Sequence, residues 1–186
     1  SRAVRIPLDG PIPDELAEIL QLIADHPHVH LNTGHVSAEE TIRLVDLAVQ
    51  FGIRKIVVAH PARVRLTTEQ QKQLAAKGAL LEGCVSDWMF HRGLPRSNYY
   101  VEPEWRDEIA GIASSPDAFS GIVPWARQMR EIGLEHFVVG TDYGIRSGPT
   151  PVEGMRILIS SLLDLEFTSE EIHRLVKGNI EKLLDL

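Results

Sequence analysis

The chain has 186 residues, of which 44% are hydrophobic and 24% charged, enough for one globular domain with a buried core. Its 19 basic and 26 acidic residues give a formal net charge of −7, which argues against a nucleic-acid partner or an anionic membrane surface. No apolar run approaches the ~20 residues that span a bilayer, and no secretory signal pattern opens the sequence. The single cysteine, Cys84, cannot form an internal disulfide, so we expect a cytoplasmic protein.

Strand and helix signals alternate along the chain. Short runs rich in Val, Ile and Leu predict four buried parallel strands, at Val29–Thr33, Lys55–Ala59, Ala79–Cys84 and His136–Gly140. Pro13 and Asp14 open the first helix, whose apolar residues follow helical spacing. Three later helices begin with a capping box, in which Ser or Thr precedes Glu or Gln by three residues: Ser37 with Glu40, Thr67 with Gln70, and Thr168 with Glu171. These helices are expected to end at Gly52, at Gly78 and near Gly178.

The alternation predicts an α/β fold built from parallel (β/α) units. The longer segment Ser86–Gly133 is expected to hold an active-site loop followed by helices. Four such units are half of an eight-unit barrel, which typically needs ~250 residues. We therefore predict one (β/α) domain over residues 1–186, forming the C-terminal half of a TIM-type (β/α)8 barrel and incomplete at its N-terminus. A small open doubly wound sheet is the alternative.

Ligands of parallel α/β proteins bind beyond the carboxyl ends of the strands, so the residues after each predicted strand are candidates for a site. His35 follows the first strand, His60 the second and Asp142 the fourth. Each alone is more simply a hydrogen-bond partner in a loop or a helix cap, but their coincidence favours a divalent-metal site, with zinc as the expected ion. A metal there would acidify a bound water, whose proton Asp142 could accept. We predict His35, His60 and Asp142 as metal ligands, with Asp142 and His60 as the catalytic residues.

Other polar residues near the same strand ends give weaker signals. Glu82 interrupts an apolar strand, where a carboxylate is costly unless it is paired or ligated. Arg92 and Arg146 fall in or near the loops of this rim, and guanidinium groups suit the recognition of carboxylates or phosphates. Glu82, Arg92 and Arg146 are thus candidate substrate-binding residues, although a solvated surface charge is the simpler interpretation of each arginine. Cys84, on the same strand as Glu82, adds a thiol to this rim, but a small core residue is its simpler interpretation.

A His-x-His pair, His28 and His30, lies at the start of the first predicted strand. Such a pair places both imidazoles on one face of a strand, as a metal site requires. The strand, however, separates this pair from His35, which follows its other end. We therefore predict that His28 and His30 do not share the site of His35.

Three segments resemble the later strands of amidohydrolase-superfamily barrels: residues 33–40, 56–61 and 139–144. The ending, residues 177–186, resembles the terminal helix of those barrels. The likeness covers nearly the whole chain except Ser86–Ser120. It is closest to an uncharacterised branch of the superfamily that carries the same Thr-Gly-His, His-Pro and Thr-Asp segments.

The resemblance implies that His35, His60, Glu82 and Asp142 lie on the fifth to eighth barrel strands. It makes His35 and His60 metal-ligand or substrate-polarising positions and Asp142 the metal-bound catalytic carboxylate. The sequence departs from the family pattern, because the first-strand His-x-His and the fourth-strand bridging residue have no counterpart at the expected places. Those residues would lie upstream of Ser1.

The leading hypothesis is a metal-dependent hydrolase that cleaves an amide, ester or lactone bond with a metal-activated water. A lyase of the same superfamily, such as a decarboxylase or hydratase, is one alternative. A non-catalytic half-barrel binding protein is another. The expected partner is a small-molecule substrate, with no nucleic acid and no membrane. Because a half-barrel leaves open sheet edges, we expect a homo-oligomer or completion by a missing N-terminal half.

Overall fold

The computed structural model describes residues 5–89, 122–144 and 149–186. Its four short strands are β1 (Leu31–Asn32), β2 (Ile56–Val58), β3 (Leu80–Cys84) and β4 (Phe137–Gly140). They form one parallel sheet in the order β1-β2-β3-β4. The predicted α/β class and parallel pairing are confirmed, and every strand lies inside its predicted range.

Helices flank the sheet and connect its strands. The helices of the described residues are α1 (Asp14–Ala24), α2 (Ala38–Gln50), α3 (Thr68–Ala76), α4 (Val85–Met89), α5 (Ile122–Ile132), α6 (Pro151–Asp164), α7 (Ser169–His173) and α8 (Asn179–Leu184). A 3-10 turn, Leu134–His136, precedes β4, and a π-helical turn, Arg174–Gly178, joins α7 to α8. Among these residues no helix is both long and apolar enough to cross a bilayer.

All three capping boxes predicted from the sequence are present. The hydroxyl groups of Ser37, Thr67 and Thr168 each accept a hydrogen bond from the backbone N–H three residues later, and the Glu or Gln there accepts one in return. The predicted end of the last helix near Gly178 is wrong. Gly178 has helical dihedral angles, and the chain continues through the π-helical turn to Leu184.

The main core lies on one face of the sheet. Alternate strand residues Ile56, Val58, Leu81 and Phe137 pack there with residues of α2, α3, α5 and α6. The opposite face carries a smaller cluster, in which Val57 and Val138 meet Leu183 of α8, with Leu80 packed against it. Since strand side chains alternate between faces, Glu82 and Cys84 of β3 share this second face with Leu80.

The buried Asn179 fixes the C-terminal helix to the sheet. Its Nδ2 donates hydrogen bonds of 2.7 Å to the Leu134 carbonyl and 2.6 Å to the Phe137 carbonyl. The side chain thus binds one carbonyl of the turn before β4, which also accepts the Phe137 N–H, and the carbonyl of the first residue of β4.

Candidate functional site

Polar side chains gather at the carboxyl ends of the four parallel strands. His35 follows β1, His60 follows β2, and Asp142 follows β4. Asp87 lies on α4, the short helix that begins directly after Cys84, the last residue of β3. Thr33 joins the first two strand ends, because its Oγ1 accepts the Ala59 N–H at 3.0 Å.

His60 is the buried centre of this group. Its side chain is 8% exposed, and its Nδ1 lies 2.9 Å from Asp87 Oδ2, within hydrogen-bond distance. Its ring centroid lies 4.9 Å from that of His35, with the rings tilted by 47°. Burial favours the neutral imidazole, but the hydrogen bond and charge of Asp87 outweigh it, so the pKa of His60 is raised.

Arg63 connects two carboxylates of the site. Its Nη2 donates to Asp87 Oδ1 at 2.9 Å and to Asp142 Oδ2 at 3.3 Å. The Asp87 side chain is only 12% exposed, whereas those of Arg63 and Asp142 are 33% and 41% exposed. One partly solvated cation is therefore shared between one nearly buried carboxylate and one more open carboxylate.

Ser86 orients Asp142. The Ser86 side chain is fully buried, and its Oγ donates to Asp142 Oδ2 at 2.8 Å. The Ser86 backbone N–H also donates to the Thr141 carbonyl at 3.2 Å. Asp142 has a φ of 51°, and His60 has a φ of 43°. Left-handed backbone is unfavourable for residues with a side chain, and it recurs at functional sites.

Two other titratable groups at this end, His35 and Glu82, have pKa values shifted toward their neutral forms. Burial lowers the pKa of His35, and the neighbouring His60 and Arg63 lower it further, which favours the neutral imidazole. Glu82 is a half-buried residue of β3. Burial raises the pKa of its carboxyl group, and the nearby charges of Asp87 and Asp142 raise it further. Glu82 and Asp87 also line a small pocket with Pro61, Ala62, Gly83, Trp125 and Gln128.

Three donor atoms at the carboxyl ends of the strands could hold a metal ion. Among the residues that the structure describes, the group is formed by His60, Cys84 and Asp87, whose ligand atoms lie within 4.8 Å of one another. An imidazole nitrogen, a thiolate and a carboxylate are ligands that zinc takes, and three of them leave one of its four positions open. Burial raises the pKa of the Cys84 thiol, so a metal would have to displace its proton. These three residues could thus hold a metal ion, and the chemistry of their donor atoms is compatible with zinc.

The structure brings together the residues that the sequence placed at one rim. His35 contacts His60, and Arg63 joins the Asp87 partner of His60 to Asp142. The predicted ligand trio of His35, His60 and Asp142 shares only His60 with the observed donor group, and its role as a ligand set stays a prediction. Glu82 lies at the same end, whereas Arg92 and Arg146 lie outside the described residues.

His28 and His30 lie away from the site, as predicted. Both are exposed and precede β1, whereas His35 follows it. The His28 ring instead meets that of His26, with centroids 5.9 Å apart.

Asp87 escaped the sequence interpretation, because it was counted as part of a long loop. Cys84 was placed at the rim but was interpreted as a core residue. The spacing of Cys84 and Asp87 was the useful signal. Cys84 ends β3, and α4 starts at the next residue, so Asp87, three positions later, lies back over the strand end. The spacing predicts this contact only if a helix starts directly after the strand.

Comparison with known families gives one match. The model of a family of unknown function, DUF6282, matches residues 3–82, less than half of the chain. The matched segment contains His35, His60, Arg63 and Glu82, and it ends before Cys84, Asp87 and Asp142. Neither the curated proteins nor the solved structures gave a match.

Proposed function

We propose that the chain is a metal-dependent hydrolase that cleaves an amide, ester or lactone bond of a small molecule. The observation that carries the proposal is the donor group of His60, Cys84 and Asp87 at the carboxyl ends of parallel strands, with Asp142 beside it. Zinc is the expected ion, because thiolate and imidazole ligands favour it. A reducing cytoplasm, where the Cys84 thiol is preserved, is the expected location.

The neighbouring side chains have separate tasks in this proposal. The bound ion would supply a Lewis acid that polarises the scissile carbonyl and acidifies water. Asp142, held by Ser86 Oγ, accepts the proton of the attacking water and later returns it to the leaving group. His35, neutral and close to His60, can hydrogen-bond the substrate without adding charge.

We also propose that the sheet is part of a (β/α)8 barrel. The strand order follows the chain without reversal, whereas a doubly wound sheet reverses its order at a switch point. The connecting helices α2, α3 and α5 contribute to the same core on one face, as the right-handed crossovers of a barrel require. The other face, with Glu82, would then line the barrel interior, and Leu183 of α8, which packs against Val57 and Val138, would fill part of it.

Within the described residues, β1 and β4 are edge strands with one unpaired side each. A barrel needs further strands to pair with them, from the same protein or from a second copy. We therefore expect the purified 186-residue chain to self-associate in light scattering. A monodisperse monomer with a cooperative melt would contradict the half-barrel and favour a compact open sheet.

One observation favours the non-catalytic alternative. Arg63 already pairs with both Asp87 and Asp142, so each carboxylate has a cationic partner without a metal. A binding protein would keep this arrangement and take up no zinc. Metal uptake therefore separates the two functions.

Turnover of the zinc-loaded chain on panels of esters, lactones and amides tests the hydrolase. Asp142→Asn should lower turnover by about 10²–10⁴-fold, the range that a general base contributes. Asp46→Asn is the matched control, because the Asp46 side chain is 37% exposed, pairs with a surface lysine and lies on α2. Equal turnover of the wild type and Asp142→Asn would contradict the proposed role. Release of carbon dioxide without hydrolysis would favour a lyase.

A further inference from the structure

We propose that the Arg63 guanidinium is a built-in cation that competes with the metal ion for Asp87 and so sets the metal affinity of the site. This inference rests on the proposed metal group of His60, Cys84 and Asp87. It gives Arg63 a role in metal loading that is separate from the hydrolytic chemistry.

The competition follows from the contacts of Asp87. Its Oδ1 accepts from Arg63 Nη2 at 2.9 Å, and its Oδ2 lies 2.9 Å from His60 Nδ1. Both carboxylate oxygens are therefore engaged. A metal ion that takes Asp87 as a ligand therefore competes with these two partners for the negative charge and the lone pairs of the carboxylate.

Burial makes the Arg63 contact important for the metal-free protein. Asp87 is only 12% exposed, and a nearly buried carboxylate without a cationic partner is strongly destabilising. Arg63 supplies that partner in the absence of metal. When a divalent ion neutralises Asp87 instead, the guanidinium becomes redundant there, and its charge repels the ion.

Arg63 can leave Asp87 without losing all its contacts. Its side chain is 33% exposed, and its second partner, Asp142, is 41% exposed. A shift toward Asp142 and solvent keeps the guanidinium hydrated. Metal binding thus exchanges one cation for another on Asp87.

The exchange predicts that Arg63→Gln lowers the stability of the metal-free protein and raises its affinity for zinc. The metal-free variant should melt at a lower temperature than the wild type, because Asp87 loses the guanidinium and keeps only its contact with His60. Its zinc affinity should rise by about tenfold, the equivalent of one charge-assisted hydrogen bond that no longer has to be broken. A residue that only supported the fold would lower stability in both forms and would not raise affinity.

The test is calorimetric titration of the full chain with zinc, with melting curves before and after loading. Arg65→Gln is the matched control, because Arg65 lies in the same loop, is exposed and forms no ion pair with any described residue. It should bind zinc like the wild type. Arg63→Lys keeps the charge and should lie between the wild type and Arg63→Gln, so it decides the question if Arg63→Gln does not fold.

The outcomes separate this inference from the function on which it rests. If the wild type and all variants bind no zinc, the proposed metal site is wrong, and the inference is wrong with it. If the wild type binds zinc through the site and neither Arg63 variant binds more tightly, the metal site stands and the competition is overturned. Tighter binding by Arg63→Gln but not by Arg65→Gln supports the inference.

Discussion

Gly83 and Gly140 form a matched pair for testing how the sheet is packed beside the site. They lie on the neighbouring strands β3 and β4 and differ in what covers them. A Cβ added to Gly83 would lie 2.1 Å from Trp125 Cζ2 and 2.9 Å from Trp125 Cε2, whereas one added to Gly140 would meet nothing within 4 Å. The buried indole of Trp125 therefore packs directly on the Gly83 backbone.

Gly83→Ala should destabilise the protein by about 1–3 kcal/mol, because overpacking forces the indole or the strand to move. Gly140→Ala should be neutral or stabilising by up to about 1 kcal/mol, since alanine restricts the unfolded chain and meets no clash here. Urea unfolding followed by far-ultraviolet circular dichroism measures both values. A second test adds Trp125→Leu, which should relieve much of the Gly83→Ala penalty in a double-mutant cycle. Equal stability of Gly83→Ala and Gly140→Ala would refute this account of the packing.

Two further predictions concern stability. The Ser37 backbone N–H donates a hydrogen bond of 3.0 Å to the Glu40 carboxylate and lowers its pKa. Burial raises this pKa, and the Ile6 N–H, which donates at 2.9 Å, lowers it further, so that the net shift is downward. A lowered folded-state pKa means stability that is present above the unfolded-state value of about 4.3 and lost as the pH falls through the folded-state value. Glu40→Gln should flatten the acid side of a curve of melting temperature against pH, and Glu39→Gln should leave it unchanged. Asn179→Ala should cost about 1–3 kcal/mol in urea unfolding, because two buried carbonyls each lose one hydrogen-bond donor. A loss below about 0.5 kcal/mol would contradict this role of Asn179.

The helix starts could be predicted because their determinants are local. A capping box involves residues three positions apart, so Ser37 with Glu40 and Thr67 with Gln70 carry their own structure. The end of the last helix was harder to predict. Glycine often terminates helices, but Gly178 continues one here, where the contacts of Asn179 with the start of β4 hold the helix on the sheet.

The candidate site could also be predicted only in part from the sequence. Placement after parallel strands was enough to bring His60 and Asp142 to one end of the sheet. The partners of these residues depend on contacts between distant parts of the chain. Arg63 finds Asp87 24 residues away and Asp142 79 residues away, and no local pattern records these pairs. The donor group of His60, Cys84 and Asp87 likewise emerges only when β2 and β3 lie side by side.

The most direct test of the metal site is the absorption spectrum of the cobalt-loaded chain. Cobalt bound to a thiolate gives a near-ultraviolet charge-transfer band, and Cys84 is the only cysteine of the sequence. We predict that the wild type shows this band at one cobalt per chain, and that Cys84→Ser loses it while keeping its circular dichroism spectrum. A wild type without the band, or a Cys84→Ser variant that retains it, would contradict the central claim that His60, Cys84 and Asp87 hold the metal.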